Sequence, residues 1–376
     1  MASSSTQPVA TADTSILTPV MTLEGHEPWN LFSSEGKQHE YEFVSCISYF
    51  PDGKEMISGS RDKTIRRWDL LKGKEIEKDR EAYENVQEVG VSRDGRWVVI
   101  AGGRSLKVSE VETGIVRRFH EGPWFHCIDI SADSTLLAGG SHQKVGIWNL
   151  DTGEKLVAGQ FDIRGDVLRA LRFSEDSRKL AVSSSYDSKG RDRYPKGRHL
   201  QVWDIETQKL VAQRSDHDRA LSGLPIFWTT KDKSIIAAAF NSPDYDSIYE
   251  FDASTLKTVG APFKHYSTIC GLALSSDCVL LASSSYDRIK LWAFESRQLL
   301  ASFDVESPRT RTLLLSPDSC QLAYTSHNDT KIHMYNIPAN ILAKIESIKK
   351  SAHPDLLSVR DPALSSIYTL PFFVIV

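Results

Sequence analysis

Histidine, serine and aspartate lie close together in two stretches of this chain, a set that nucleophilic catalysis uses: a base polarises a hydroxyl and a carboxylate orients the base. His265, Ser283 and Asp287 make one such group, and Ser58 and Asp62 make another with either His26 or His39. A tryptophan follows each, Trp292 and Trp68. Catalysis needs one polarised, accessible group. A constellation that recurs along the chain and decays from copy to copy points elsewhere.

Other chemistry is absent by inspection. The chain has no G-x-S-x-G, P-loop, G-x-G-x-x-G, H-E-x-x-H or EF-hand pattern, so no cofactor or metal is implied. The acidic cluster Asp244-Tyr245-Asp246 lacks ligand spacing. Five cysteines, Cys46, Cys127, Cys270, Cys278 and Cys320, are odd in number and widely spaced, and read as reduced thiols packed in strands. The first residues carry neither an apolar h-region nor early basic residues, so the expected location is intracellular, in cytoplasm or nucleus. A net charge of −4 speaks against a nucleic-acid partner, and no run of 18 apolar residues exists to enter a membrane.

What positions these residues is a repeat. Residues 47–73, ISYFPDGKEMISGSRDKTIRRWDLLKG, find good matches at 128–153 and 272–296, an interrupted match at 171–207, and weaker ones at 89–114, 226–255 and 313–337. The aromatic slot is filled successively by Trp68, Ser109, Trp148, Trp203, Phe251, Trp292 and Tyr335, at intervals of 41, 39, 55, 48, 41 and 43 residues. Each copy alternates apolar residues, turns on a polar triplet (PDG, RDG, EDS, PDS), repeats the apolar burst and ends in the strand with the aromatic. A fourth strand, as in Glu154–Phe161 or Arg297–Phe303, completes a four-stranded unit.

On these residues the chain resembles the WD40-repeat β-propeller superfamily over about residues 18–337. The resemblance implies an all-β fold: a seven-bladed β-propeller of four-stranded antiparallel blades. The seventh copy lacks a fourth strand, and Thr18–Gly25 is a fourth strand without a blade, so the N-terminal strand is expected to pair with the last blade and close the ring. Residues 1–17 read as a disordered lead-in. Residues 338–376 form a tail in which Ile341, Leu342, Ile345 and Ile348 predict an amphipathic helix, ahead of an apolar end too short to span a bilayer.

The resemblance also gives the His, Ser, Asp and Trp a structural part, a hydrogen-bonded tetrad within each blade. His265, Ser283, Asp287 and Trp292 look complete; Ser58, Asp62 and Trp68 await a choice between His26 and His39. Blade three keeps His120 and Trp148 but has His142 and Gln143 in the Asp region, and blade two has Gly103 and Ser109 instead. A buried Asp is tolerable only with its acceptors filled, which the His and Ser would do.

In that family, partner contacts come from loops on one face, just before and within each blade's first strand and just before the tetrad Asp. Position by position this implies Phe43, Arg61, Trp124, His126, Arg169, Tyr186, Phe240, Tyr286, Arg309 and Arg311, largely the residue types of interface hot spots. Two insertions fall on the same face. Residues 188–199 carry Lys189, Arg191, Arg193, Lys196 and Arg198 against Asp192, a local charge of +4, and residues 27–42 add about a dozen residues to blade one. The expected function is a non-enzymatic scaffold binding protein or peptide partners, with acidic or phosphorylated segments suited to the arginines. The alternatives are an enzyme with a site at the channel mouth, where the assigned positions offer few carboxylates, or the sensor arm of a larger signalling protein.

Overall fold

The computed structural model describes residues 19–352 except 28, 33–37, 42, 80–85, 121–124, 142–143, 158–160, 162, 164–166, 186–197, 217–223, 240–246, 266, 287 and 306–308. Seven four-stranded antiparallel sheets follow one another along the chain. Blade 1 runs Val44–Tyr49, Glu55–Ser60, Ile65–Asp69 and Lys74–Asp79, paired in sequence order, and blades 2 to 7 follow at 86–120, 127–157, 167–216, 227–264, 269–304 and 310–336.

The polar triplets act through their side chains. In five blades a serine hydroxyl at the end of the first strand donates to an aspartate two residues on: Ser92 to Asp94, Ser131 to Asp133, Ser174 to Asp176, Ser275 to Asp277 and Ser316 to Asp318. The residue after each aspartate has positive φ (Gly95, Ser134, Ser177, Cys278 and Ser319), as does Gly53 in blade 1. The left-handed residue turns the chain into the second strand, and the aspartate satisfies amides the turn leaves open.

The apolar faces meet between blades, so each blade is completed by its neighbour. Ile57, Ile65 and Cys46 of blade 1 pack on Val86, Val89, Val98 and Ile100 of blade 2. Trp97, Val99 and Leu106 of blade 2 pack on Phe125, Ile128, Leu137 and Trp148 of blade 3. The approach is close enough to dictate Gly59: a Cβ there would stand 2.3 Å from Cγ1 of Val86.

The ring closes as the sequence implies. Pro19–Leu23 pairs antiparallel with the third strand of blade 7, Leu23 opposite Ile332. Leu23, 1% exposed, then packs with Met56 and Trp68 of blade 1 and Met334 of blade 7. The last blade thereby gains its fourth strand and its third strand is no longer an edge.

Residues 27–42 hold a feature the sequence reading treated only as a long loop. Trp29–Phe32 and Gln38–Tyr41 form an antiparallel two-stranded hairpin of their own. After Ile337 the chain enters a second compact unit, whose described part is the helix Ala339–Ala352. Lys349 and Lys350 occupy its last turn, where the helix dipole favours positive charge.

Candidate functional site

The tetrad of blade 1 is complete, and its histidine is His26. His26 Nδ1 lies 2.9 Å from Asp62 Oδ2, and its Nε2 lies 2.8 Å from Ser58 Oγ. Asp62 can only accept, so the imidazole carries its proton on Nδ1, and the Ser58 hydroxyl donates to Nε2. Trp68 Nε1–H donates to the same Ser58 oxygen at 2.8 Å. Burial lowers the His26 pKa and keeps the ring neutral. For Asp62, burial alone would raise the pKa, but the His26 bond, with Thr64 and the Glu27 amide, brings it well below the usual carboxylate range.

This Ser–His–Asp relay has the connectivity of a catalytic triad and none of its access. Ser58 is 0% exposed and its oxygen is already occupied by the indole N–H. In blade 6, His265 Nε2 and Trp292 Nε1 likewise converge on Ser283 Oγ at 2.7 and 2.9 Å, and burial, with the charge of Lys290, pushes His265 down to about 3. Asp287 lies outside the described residues. In blade 3 the Trp148 ring packs on Phe119 and Phe125, and His142 and Gln143 are outside the described residues.

The accessible site is the central channel, a cavity of about 1150 Å³ bounded by the first strands of the blades. Those strands share a local irregularity. Their pairing with the second strand slips by one residue near the start in blades 1, 2, 4, 6 and 7. The extra residues are Ser45, Gln87, Arg169, Cys270 and Arg311, all of which line the cavity. A bulge re-aims one side chain out of the alternation, here at the channel. Arg169 and Arg311 were selected from sequence; Ser45, Gln87 and Cys270 hold the same slot and were not.

Around the blade 7–blade 1 junction the structure gathers a cationic cluster. Phe43, just before the first strand of blade 1, is 5% exposed. The guanidinium groups of Arg61 and Arg311 each stand 4.8 Å from its ring centroid, and His327 meets it edge-on at 5.0 Å. Phe43 is thus a platform beneath the arginines. Arg311 Nε donates to Ser45 O at 3.1 Å, tying blade 7 to blade 1. Arg309 lies 5.8 Å from the ring of Tyr286, itself 45% exposed, and its amide donates to Tyr286 O. Burial, then the charges of Arg311, Arg61 and Arg309, push His327 down to about 4. No carboxylate among the described residues lies within ion-pair distance of Arg309 or Arg311.

Few carboxylates are expected here from the sequence, and the structure places two among the described residues. Asp129 of blade 3 accepts Arg172 Nη1 at 2.8 Å and the Phe173 amide at 2.7 Å, both from blade 4. Glu88 of blade 2 accepts the Ile128 amide of blade 3 at 2.7 Å. Both line the cavity. Burial pushes Glu88 up to about 7 against the Ile128 bond and the charge of Arg172, and burial likewise raises Asp129. Each reads in sequence as the polar member of an alternating strand; Glu88 directly follows the blade 2 bulge, whereas Asp129 lies on the regular first strand of blade 3.

Of the partner-binding residues expected from sequence, Phe43, Arg61, His126, Arg169, Tyr286, Arg309 and Arg311 all line this one cavity. Trp124, Tyr186, Lys189, Arg191, Arg193 and Phe240 lie outside the described residues. Among the described residues no cluster has the make-up of a metal site, and no helix is long and apolar enough to cross a membrane.

Seven four-stranded blades around a channel make a β-propeller, and blades 1 and 6 carry His–Ser–Trp hydrogen bonding. The family model for the WD domain, G-beta repeat, matches residues 32–69, which hold Ser58, Asp62 and Trp68, and 256–292, which hold His265, Ser283 and Trp292. The chain thus carries WD repeats in those stretches. It is 23% identical over 201 residues to the WD repeat-containing protein 26 homolog of Arabidopsis thaliana, covering 52% of this chain and 32% of that one. It is 23% identical over 320 residues to apoptotic protease-activating factor 1 of Rattus norvegicus, covering 83% and 23%. With guanine nucleotide-binding protein subunit beta-like protein 1 of Mus musculus it shares 22% over 276 residues, covering 68% and 79%. The chain thus spans about a third of the Arabidopsis relative and a quarter of the rat one.

Proposed function

We propose that this propeller is a non-enzymatic protein-interaction platform whose channel mouth takes an acidic or phosphorylated segment of a partner protein. The observation that carries the reading is the cluster on Phe43: Arg61 and Arg311 stacked on its ring, Arg309 beside them, and no carboxylate within ion-pair distance of Arg309 or Arg311 among the described residues. Arg311 donates to Ser45 O through Nε alone, so its Nη groups, with the Arg309 guanidinium, are placed to bind a planar oxyanion, which guanidinium groups hold bidentately. The ring of blades fixes them before the ligand arrives, so little ordering entropy is lost on binding. The WD40 relatives support the scaffold role in general terms, and the five free cysteines fit a reducing, intracellular setting.

Titration of a fluorescent acidic peptide and its phosphorylated counterpart tests this. Two charge-assisted contacts at about 1.5–3 kcal/mol each predict that Arg309→Ala with Arg311→Ala weakens binding by more than about tenfold. Equal affinity for wild type and the double variant refutes the reading.

A further inference from the structure

Among the described residues the channel is not uniformly basic, and one lining carboxylate without an ion-pair partner bears on what the ligand must carry. Glu88 is half-buried, lines the cavity, and makes a single hydrogen bond, from the Ile128 amide to Oε2. Its neighbour Asp129 is closed off by Arg172 and the Phe173 amide. Glu88 has no such closure: no Lys, Arg or His among the described residues lies within ion-pair distance of it. A carboxylate placed this way lacks the cation that usually accompanies a buried charge.

We propose that Glu88 is a specificity-determining contact that receives the ammonium or guanidinium of a Lys or Arg in the bound segment, so that the preferred ligand carries adjacent acidic and basic side chains. The inference rests on the channel-mouth reading above and refines it. Arg61, Arg309 and Arg311 come from blades 7 and 1, whereas Glu88 comes from blade 2, so the cavity presents opposite charge from different blades. A purely acidic ligand would answer one charge only, and a mixed-charge segment answers both.

The protonation of Glu88 supports the assignment. Facing it are the Ile128 amide, Arg172, Asp129, Arg311 and the thiols of Cys46 and Cys127, and the balance leaves the carboxyl titrating at about 7, burial being the main cause. An arriving cation stabilises the ionised form, so binding releases a proton near neutral pH. Affinity for the cationic group then falls by about tenfold per pH unit below about 7.

The test uses the full chain and four fluorescent nonapeptides: acidic with one lysine, acidic with glutamine in its place, neutral with the lysine, and neutral without it, the lysine being moved through each position. Wild type, Glu88→Gln and the Arg309→Ala/Arg311→Ala pair are titrated between pH 6 and 8. Glutamine keeps an acceptor for the Ile128 amide, and circular dichroism checks the fold. The expected result is at least a tenfold preference for the lysine-bearing acidic peptide, lost in Glu88→Gln, with the glutamine peptide unaffected. A lysine preference that is absent from wild type, or that persists in Glu88→Gln, overturns the proposal while acidic binding stands. Loss of the acidic preference alone overturns the channel-mouth reading, and no binding of any peptide overturns both. Calorimetry in two buffers of different ionisation enthalpy gives the second readout: proton release with the lysine peptide is expected, and none contradicts the assignment.

Discussion

Replacing Ser58 by alanine removes the hub of the blade 1 tetrad and little else. Its oxygen accepts from Trp68 Nε1–H and its hydroxyl donates to His26 Nε2, both at 2.8 Å, and all three residues are buried. Alanine leaves an indole donor and an imidazole acceptor unsatisfied. At about 1–3 kcal/mol for each orphaned group, less the desolvation that the missing hydroxyl no longer requires, the expected loss is about 2–4 kcal/mol. Urea unfolding followed by far-UV circular dichroism measures it. The mechanism has a sharper signature in a second background. Trp68→Phe deletes the indole donor, so Ser58→Ala should cost at least about 1 kcal/mol less there than in wild type. A Ser58→Ala variant within about 0.5 kcal/mol of wild type, or strictly additive variants, would refute the hydrogen-bonding account of the tetrad.

Three further outcomes are expected. Leu23→Ala opens a cavity at the ring closure and should cost about 2–5 kcal/mol in the same assay, more than an exposed position such as Val20→Ala. Gly59→Ala should destabilise by about 1–3 kcal/mol, because its Cβ would press into Val86 and the sheets have little room to part. Acid should destabilise the propeller in two stages. His26, His265 and His327 have folded pKa values below the ordinary 6.5, so the unfolded chain binds more protons and stability falls as pH drops below about 6.5, toward the folded values near 4 for His327 and 3 for His265. Asp62, also depressed, adds its loss below about 3.9. Glu88, raised to about 7, and Asp129, raised likewise by burial, act oppositely, two groups against three. The thermal midpoint should therefore fall from pH 7 to pH 4, and His265→Gln should flatten the decline; a midpoint that rises would contradict the assignment.

The blades were legible because the fold repeats its grammar: the turn triplets mark every first hairpin and the aromatic slot keeps time even where Trp becomes Ser109 or Phe251. Closure was legible from Pro19–Leu23 because a strand without a sheet and a sheet without a strand imply each other. The blade 1 histidine was not, since the preceding glycine favours His26 while the spacing to Asp62 favours His39. The hairpin Trp29–Phe32/Gln38–Tyr41 accounts for the ambiguity, lengthening the connection without moving His26 from Ser58 and Asp62. The site was legible in part. Position within the repeat singled out Arg169 and Arg311, but the bulges that aim them depend on pairing with the second strand. Phe43 was selected as a contact, yet Arg61 and Arg311 cover its ring. Glu88 and Asp129 escaped notice because their partners, Ile128, Arg172 and Phe173, belong to the following blade.

The most direct test of an interaction platform working through its channel mouth is quantitative affinity purification from the native cell, wild type against the Arg309→Ala/Arg311→Ala pair, with circular dichroism to confirm equal folding. Selective loss of a set of partners from the variant, recovered from wild type and displaced by an acidic peptide, is the expected result. Identical partner sets from the two proteins would contradict it and move the working surface away from the channel.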